Sequence, residues 1–358
     1  MDMNLENLED YLRENMGGTV KLKGVGDIGS LDEQAMKEFG YGKSLKVTFA
    51  KDGVEQHVVL SVMRGDRYGH QFYWDRAAIL MFEYETGARM EKHVRPMGLG
   101  YIDKEGRLVP IREPEEFFIV NELAEGHTYF QDLERIRKEG MEPRDREQAA
   151  EFARWLARIH SEKKDAPDLY LRRVRQLIGD SECIWGLIDA YPHPYPAFSQ
   201  EQFRRLEKNL IDWRWKLRNY TGRLAVTHGD FHPWNVIVHS AGDFSVLDRS
   251  RGEWGEPADD VASMTFNYFL YGLYQGPILA GDFEELYAAL WDEYLRMTGD
   301  DEILEVIAPF YVFRCLVIAN PEWYPNHPPE VQRSLFRFLK KVLAEERFDY
   351  KNINKYLE

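Results

Sequence analysis

The chain has 358 residues, 44% of them apolar and 14% aromatic, and a formal net charge of −15 at pH 7. This length and apolar content suit one large or two medium globular domains and exclude disorder over most of the chain. The negative charge argues against a nucleic-acid binder held by phosphate contacts and favours a small-molecule or protein partner.

The sequence predicts no membrane segment and an ordinary intracellular protein. The N-terminus, MDMNLENLEDYLREN, is acidic with leucines at helical spacing, unlike a signal or transit peptide. The most apolar run, FYVFRCLVIA, carries Arg314 in its middle, so we expect no spanning helix. Cys183 and Cys315 lie far apart in helix-like contexts. We therefore expect a reduced, cytoplasmic protein without a disulfide framework.

In chain order, the predicted elements change character near residue 125. Before it come the β-rich runs TVKLKGV, SLKVTFA, HVVLSVM and EFFIVNEL, with turns such as AKDG and DKEG. After it, DREQAAEFARWLARIH and QFRRLEKNLIDWRWKLRNY place apolar residues on one helical face, and YPHPYP is predicted as a loop. We predict an α+β fold of two lobes: a small β-rich lobe, residues 1–122, and a larger, mainly helical lobe, residues 123–358.

One segment of the second lobe brings three oxygen-bearing side chains together. THGDFHPWNVIV, from Thr227 to Val238, runs from a charged loop into an apolar strand, and SAGD and FSVLD complete a hairpin. Because the two strands are of similar length, the returning strand should bring Asp248 beside Asp230 and Asn235. Two carboxylates and an amide suit a hard cation such as Mg²⁺, which completes its shell with water and substrate phosphates.

Phosphoryl transfer is the chemistry that this set predicts. Asp230 suits the carboxylate that accepts the acceptor's hydroxyl proton, and Asn235 and Asp248 suit the metal ligands. An isolated Asp and Asn could instead satisfy local backbone donors. The neighbouring histidines could suggest zinc, but neither an HExxH motif nor a cysteine pair supports it.

The same residues resemble a known family. HGDFHPWN resembles the HxDxxxxN catalytic loop of the aminoglycoside phosphotransferase and choline kinase group of small-molecule kinases, which are related to the protein kinases. VLD at 246–248 resembles its metal-binding segment and GEPADDVA at 255–262 its GDPxxDLA follow-on. ARWLARIH at 153–160 and FFIVNELAEG at 117–126 resemble its Leu-His helix and its interlobe hinge. Together these ordered matches cover roughly residues 117–265.

The resemblance implies a bilobal, protein-kinase-like fold that binds ATP and Mg²⁺ between a nucleotide-binding N-terminal lobe and a C-terminal lobe carrying the catalytic loop. It implies that Asp230 is the catalytic base, that Asn235 and Asp248 bind the metal, and that His228 and Asp260 support the loop. The expected reaction phosphorylates a hydroxyl of a small metabolite such as a sugar, an amino alcohol or an aminoglycoside-like compound. No nucleic acid or membrane partner is expected.

The N-terminal lobe departs from the family pattern. The strand HVVLSVM has Ser61 where the family carries a phosphate-binding Lys, so Lys46 or Arg64 would have to supply the cation. Asp75 resembles the acid that pairs with that Lys, and Glu122 either braces the hinge or is an ordinary surface residue. Ser61 therefore keeps open the alternative of a nucleotide-binding pseudokinase that lacks efficient catalysis.

Two further predictions concern loops. GYGKS at 40–44 lacks the first Gly of a P-loop, because Lys37 stands there. We interpret Gly40 and Gly42 as part of a turn that covers nucleotide phosphates, with an ordinary turn between strands as the alternative. KGVGDIGS at 23–30 competes for this role.

For the acceptor, the candidates are Arg249, Trp254 and, in NPEWYPN at 320–326, Trp323 or Tyr324; most other aromatic residues after 265 fit a core at helical spacing. A protein kinase is a third reading, but no segment ending like APE follows Asp248.

Overall fold

The structure is a computed structural model that describes residues 5–27, 42–87, 89–251 and 253–358. The chain divides into two compact units, Met1–Asn121 and Glu122–Glu358. None of the helices in the described ranges combines the length and apolar character that a membrane crossing requires.

In its described residues, the first unit has two helices and five strands. In chain order these are α1 (Leu5–Met16), β1 (Val20–Asp27), β2 (Gly42–Lys51), β3 (Val54–Met63), α2 (Tyr73–Gly87), β4 (Leu99–Ile102) and β5 (Leu108–Ile111). Strands β1, β2 and β3 form an antiparallel sheet in that order, and β4 pairs with β5. Alternation along β2 turns Val47 and Phe49 to one face, where they are buried with Leu8 and Leu12 of α1. The opposite face of β2 is left for polar side chains.

The second unit is mainly helical. Its helices are α3 (Tyr129–Glu139), α4 (Pro143–His160), α5 (Pro167–Gly179), α6 (Ile184–Ala190), α7 (Gln200–Leu217), α8 (Ala258–Gln275), α9 (Asp282–Thr298), α10 (Ile303–Val306), α11 (Ala308–Ala319) and α12 (Pro329–Val342). Its strands are β6 (His127–Thr128), β7 (Ala225–Val226), β8 (Val236–Ser240), β9 (Asp243–Val246) and β10 (Trp254–Gly255). Helices α4 and α7 confirm the two amphipathic patterns, and the predicted α+β class is confirmed.

The prediction of a strand at EFFIVNEL was wrong. Residues 112–126 contain neither a helix nor a strand, and Phe118, Ile119 and Val120 are each more than 80% exposed. Apolar and β-branched residues favour a strand only where a neighbouring strand completes the ladder. Among the described residues, none pairs with this segment as a strand.

The predicted hairpin after the THGDFHPWN loop is confirmed. β8 and β9 pair in antiparallel fashion, with Val236 opposite Val246, and β6 flanks β8 on its other side. The turn at Gly242 has a left-handed φ of 80°, which Gly adopts without strain. Gln148 of α4 accepts the Gly242 amide at 2.9 Å, so the helical layer holds the hairpin tip. The loop of interest therefore leaves the short strand β7 and enters an anchored hairpin.

Candidate active site

The loop from Thr227 to Asn235 is shaped by its own backbone contacts. Thr227 donates its amide to Glu253 O at 3.1 Å, and β7 pairs with β10 just before it. Gly229 has a φ of +87°, and a Cβ there would lie 3.1 Å from Cβ of Arg251. Only a glycine fits both the backbone angle and this close approach. The loop is thus a tight, fixed structure.

Asp260, in the first turn of α8, fixes this loop by accepting hydrogen bonds from its backbone. Its carboxylate accepts the amides of His228 at 2.8 Å and Gly229 at 2.7 Å, and it accepts His160 Nε2 at 3.1 Å. Burial alone would raise the pKa of Asp260, but the hydrogen bond from His160 and the nearby His228 hold it below its usual range. His160 in turn accepts the hydroxyl of Tyr294 at 2.9 Å. A fully buried, fully bonded carboxylate therefore fixes the loop backbone.

We expect Asp260→Asn to destabilise the protein by about 2–4 kcal/mol, because an amide can accept only one of the two backbone N–H groups and turns a donor toward the other. Urea unfolding followed by circular dichroism measures this. Asp212→Asn, at an exposed position of α7, is the matched control and should stay within about 0.5 kcal/mol of wild type. Equal stabilities of the two variants would contradict the bracing role.

Asp230, Asn235 and the end of β9 meet at one place. Asn235 donates its side-chain amide to Asp230 O at 3.1 Å and approaches Asp230 Oδ2 at 3.5 Å. Leu247 donates its amide to Asn235 O at 2.9 Å, and its own carbonyl accepts His228 Nε2 at 2.8 Å. The residue after Leu247 is Asp248, which is exposed and has a left-handed φ of 54°. Such a backbone is uncommon outside Gly, Asn and Asp and is concentrated at functional sites.

The donor set here is suited to a hard cation. The side-chain oxygen of Asn235 and the carboxylate of Asp248 are the groups that could hold Mg²⁺. His228 is bonded through both ring nitrogens, Nδ1 to the Asp230 amide at 3.2 Å and Nε2 to the Leu247 carbonyl at 2.8 Å. The oxygens of Asn235 and Asp248 fit Mg²⁺, a hard cation, better than zinc.

Asp230 lies in a strongly positive environment. Arg314 of α11 donates to its Oδ1 at 2.5 Å, Arg251 lies 3.7 Å from the same oxygen, and His232 Nε2 lies 3.5 Å from Oδ2. Burial would raise the pKa of Asp230, but the charges of Arg314 and Arg251 and the hydrogen bond from His232 hold it well below its usual range. Asp230 is therefore ionised at neutral pH.

Sequence reasoning did not identify Arg314 as a neighbour of Asp230. Its guanidinium is buried and also donates to Asp259 Oδ1 at 2.8 Å and Gly229 O at 3.2 Å. The signal was present in FYVFRCLVIA, because a charged residue inside an otherwise apolar, buried helix needs a partner. The sequence does not say which partner.

The three predicted acceptor residues lie in different surroundings. Arg249 donates to the carbonyl of Thr227 at 2.9 Å, so it stabilises the loop. Trp254 is buried in β10 with the ammonium of Lys164 4.6 Å from its ring centre. Trp254 is therefore shielded from an acceptor, whereas Arg249 is exposed beside the loop. Trp323 is about half exposed.

Tyr324, the residue after Trp323, has defined aromatic neighbours. Tyr324 stacks on His327 with ring centres 5.1 Å apart, and His327 Nδ1 lies 2.8 Å from the hydroxyl of Tyr274. Burial, followed by the neighbouring Tyr274, raises the pKa of Tyr324 to about 12, and Arg314 and Asp230 are among the charges that act on it. Tyr324 is thus part of an aromatic cluster with His327 and Tyr274.

In the first unit, the register of the sheet places one candidate cation, Lys46, next to Ser61 and the other, Arg64, just beyond the end of β3. Ser61 of β3 pairs with Ser44 of β2, and their hydroxyls lie 3.2 Å apart. Lys46 is two residues beyond Ser44 and pairs with Val59, so it lies on the same face as Ser61 and diagonally next to it. Arg64 follows the end of β3. Both cations are exposed.

The other residues predicted to contact the nucleotide are Asp75, Gly40, Gly42 and Glu122. Asp75 lies in the first turn of α2, where it accepts the amide of Phe72 at 2.9 Å. Gly42 opens β2 opposite Met63, whereas Gly40 and the end of KGVGDIGS lie outside the described residues. Glu122 is exposed in the segment without regular structure.

Comparison with known proteins identifies the family. A model described as "Phosphotransferase enzyme family" matches residues 105–299, which is more than half of the chain. The chain belongs to this family. The resemblance, the kinase-like fold class and the prediction of a phosphotransferase enzyme are thereby confirmed. No curated protein sequence matches this phosphotransferase.

Solved structures similar to this phosphotransferase include several small-molecule kinases. An ethanolamine kinase from Plasmodium vivax is 15% identical, with 94% of this chain and 81% of that chain covered and a TM-score of 0.36. The choline kinase LicA from Streptococcus pneumoniae is 13% identical, with coverages of 95% and 98% and a TM-score of 0.36. An amicoumacin kinase in complex with AMP-PNP is 13% identical, with coverages of 92% and 91% and a TM-score of 0.38. We assign none of their substrates to this chain.

Proposed function

We propose that the protein is an ATP- and Mg²⁺-dependent kinase that phosphorylates a hydroxyl group of a small metabolite, such as a sugar, an amino alcohol or an aminoglycoside-like compound. The observation that carries the proposal is the meeting of Asp230, Asn235 and the Leu247–Asp248 segment at the base of the β8–β9 hairpin, within the matched phosphotransferase segment. An ionised carboxylate beside an amide and a second carboxylate is the set that phosphoryl transfer requires.

In this proposal Asp230 orients the acceptor hydroxyl and takes its proton. The acceptor oxygen bonds to the γ-phosphorus while the bond to the β–γ bridging oxygen breaks, so ADP leaves and the proton passes to Asp230. Because Asp230 is held as a carboxylate by its cationic neighbours, it is always ready to accept the hydroxyl hydrogen. Its low basicity suits a loose transition state, in which the acceptor's proton is transferred late.

Asn235 and Asp248 would hold the magnesium ion, which when bound supplies neutralising charge to the phosphates. Asn235 has a second task that needs no metal. By donating to the Asp230 carbonyl it fixes the distance between the base and the metal ligands. Asp248, with its left-handed backbone, lies two residues beyond the end of β9.

For the acceptor side, we propose Tyr324, supported by His327 and Tyr274, as an aromatic contact for the acceptor. An aromatic face can stack on a sugar ring or attract an ammonium group. The two classes of acceptor remain alternatives that turnover can separate.

The first experiment is a thermal-shift titration with ATP, GTP and ADP, each with and without Mg²⁺. A ligand that binds only the folded state raises the melting temperature. We expect a shift with ATP that grows when Mg²⁺ is added, followed by turnover in a screen of sugars, amino alcohols and aminoglycosides. No shift at millimolar nucleotide would contradict nucleotide binding. A shift without turnover for any alcohol would contradict catalysis.

The second candidate is a nucleotide-binding regulator without efficient catalysis, and Ser61 is the observation that favours it. The neighbouring strand β2 can supply the missing cation, because Lys46 lies diagonally next to Ser61 on the same exposed face. A Lys at this place can extend over the gap that remains where Ser61 replaces the longer lysine side chain of the family. We therefore propose that Lys46 is the cation for the nucleotide phosphates and that Arg64 is not.

We expect Lys46→Met to weaken ATP binding in the presence of Mg²⁺ by about tenfold or more, the size of one charge-assisted hydrogen bond. Arg64→Met removes the same charge from the other candidate position and is the matched control, with an expected change of less than about twofold. Isothermal titration calorimetry with a non-hydrolysable ATP analogue measures both. A larger loss for Arg64→Met would reverse the assignment.

A further inference from the structure

The two carboxylate oxygens of Asp230 differ in their contacts because Arg314 binds only one of them. Oδ1 is occupied, because Arg314 Nη1 donates to it at 2.5 Å and Arg251 lies at 3.7 Å. Among the described residues, the contacts of Oδ2 are long, with Asn235 Nδ2 and His232 Nε2 both at 3.5 Å. One oxygen is therefore fixed, and the other is left for a further hydrogen bond.

We propose that Arg314 is a positioning residue for phosphoryl transfer: by holding Oδ1 of Asp230, it presents Oδ2 to the acceptor hydroxyl. The inference rests on the proposed function of this site. Arg314 lies beyond the matched segment, which ends at residue 299, so it is a contribution of the α11 helix of this chain.

The guanidinium itself is held rigidly enough for this task. Its Nη2 donates to Asp259 Oδ1 at 2.8 Å and to Gly229 O at 3.2 Å, the residue just before Asp230. The ring of Phe313 lies 4.8 Å from Cζ of Arg314 and 4.7 Å from Cζ of Arg251. The planar fork of an arginine can bridge two carboxylates and a carbonyl at once, which the single ammonium of a lysine cannot do.

A double-mutant cycle tests whether Arg314 acts through Asp230. The variants are Arg314→Met, Asp230→Asn and the double variant, with turnover measured from radiolabelled ATP and the acceptor that the alcohol screen identifies. We expect Arg314→Met to lower kcat by about tenfold or more while KM for ATP changes less than about twofold. In the Asp230→Asn background the same substitution should change kcat by less than about twofold, because the carboxylate that Arg314 positions is gone. Arg314→Lys should recover part of kcat.

Arg223→Met is the matched control for loss of a buried arginine. Arg223 is as buried as Arg314, with side-chain exposures of 7% and 6%, and it pairs with Glu256 and Asp300, away from Asp230. It should lower the melting temperature without the loss of kcat. If Arg314→Met does not fold, Arg314→Lys replaces it in the same cycle, with a loss of kcat expected only when Asp230 is present.

The outcomes of the cycle and of its control decide whether Arg314 positions Asp230. Equal losses of kcat in the wild-type and Asp230→Asn backgrounds would overturn the positioning role, and so would an equal loss in Arg223→Met. A non-additive cycle with an unaffected control supports it. Absence of turnover in the wild-type protein with every alcohol tested would instead overturn the proposed function, on which this role depends.

Discussion

Asp230→Asn is expected to lower kcat by about 10²–10⁴-fold, the usual contribution of a positioned base. The side-chain amide retains the shape of the carboxylate but loses its charge, so it binds the acceptor hydroxyl more weakly and cannot take the proton. Nucleotide affinity should change by less than about threefold, because the proposed metal ligands are untouched. Steady-state kinetics give the first quantity and calorimetry with an ATP analogue the second.

The control for this substitution is Asp243→Asn, which removes an exposed carboxylate from the start of β9 in the same hairpin. Its kcat should match that of the wild-type protein. Circular dichroism melting must accompany both variants, because Asp230 is ion-paired with buried Arg314 and its loss also affects stability. If Asp230→Asn kept more than about a tenth of wild-type kcat while folded, another residue would have to be the base.

The sequence predicted the local parts of this site well. The hairpin follows from two apolar runs around a Gly turn, and its register brings Leu247, the residue before Asp248, to the backbone of Asn235, whose side chain contacts Asp230. Asp260 was named as a support of the loop, and its carboxylate accepts two loop amides. These relations span a few dozen residues, and backbone pairing controls them, so the order of residues carries the information.

The contacts between distant parts of the chain could not be predicted in this way. Arg314 reaches Asp230 across 84 positions, through the packing of α11 in the helical layer. Its place in an apolar helix indicated a buried partner, but three-dimensional packing chooses which carboxylate that is. Trp254 shows the converse, because its place next to the loop suggested a substrate contact, whereas the β7–β10 pairing buries it.

Asp248→Asn separates the metal site from the base. Asn tolerates the left-handed backbone that Asp248 adopts, so the substitution removes the charge and leaves the turn in place. Mg²⁺ prefers carboxylate oxygens, and we expect the affinity for ATP in the presence of Mg²⁺ to fall by about tenfold or more, toward the affinity measured without metal. Thermal-shift titration of ATP with and without Mg²⁺ measures this difference directly.

The comparison with Asp230→Asn makes the result specific. Loss of the Mg²⁺-dependent shift in Asp248→Asn, together with its retention in Asp230→Asn and in the exposed Asp243→Asn control, would assign the two neighbouring carboxylates to different steps. Raising the Mg²⁺ concentration should restore part of the shift in Asp248→Asn, because a weakened site is still filled by mass action. An unchanged Mg²⁺ response in this variant would place the metal on other residues, and the hairpin would then position only the base.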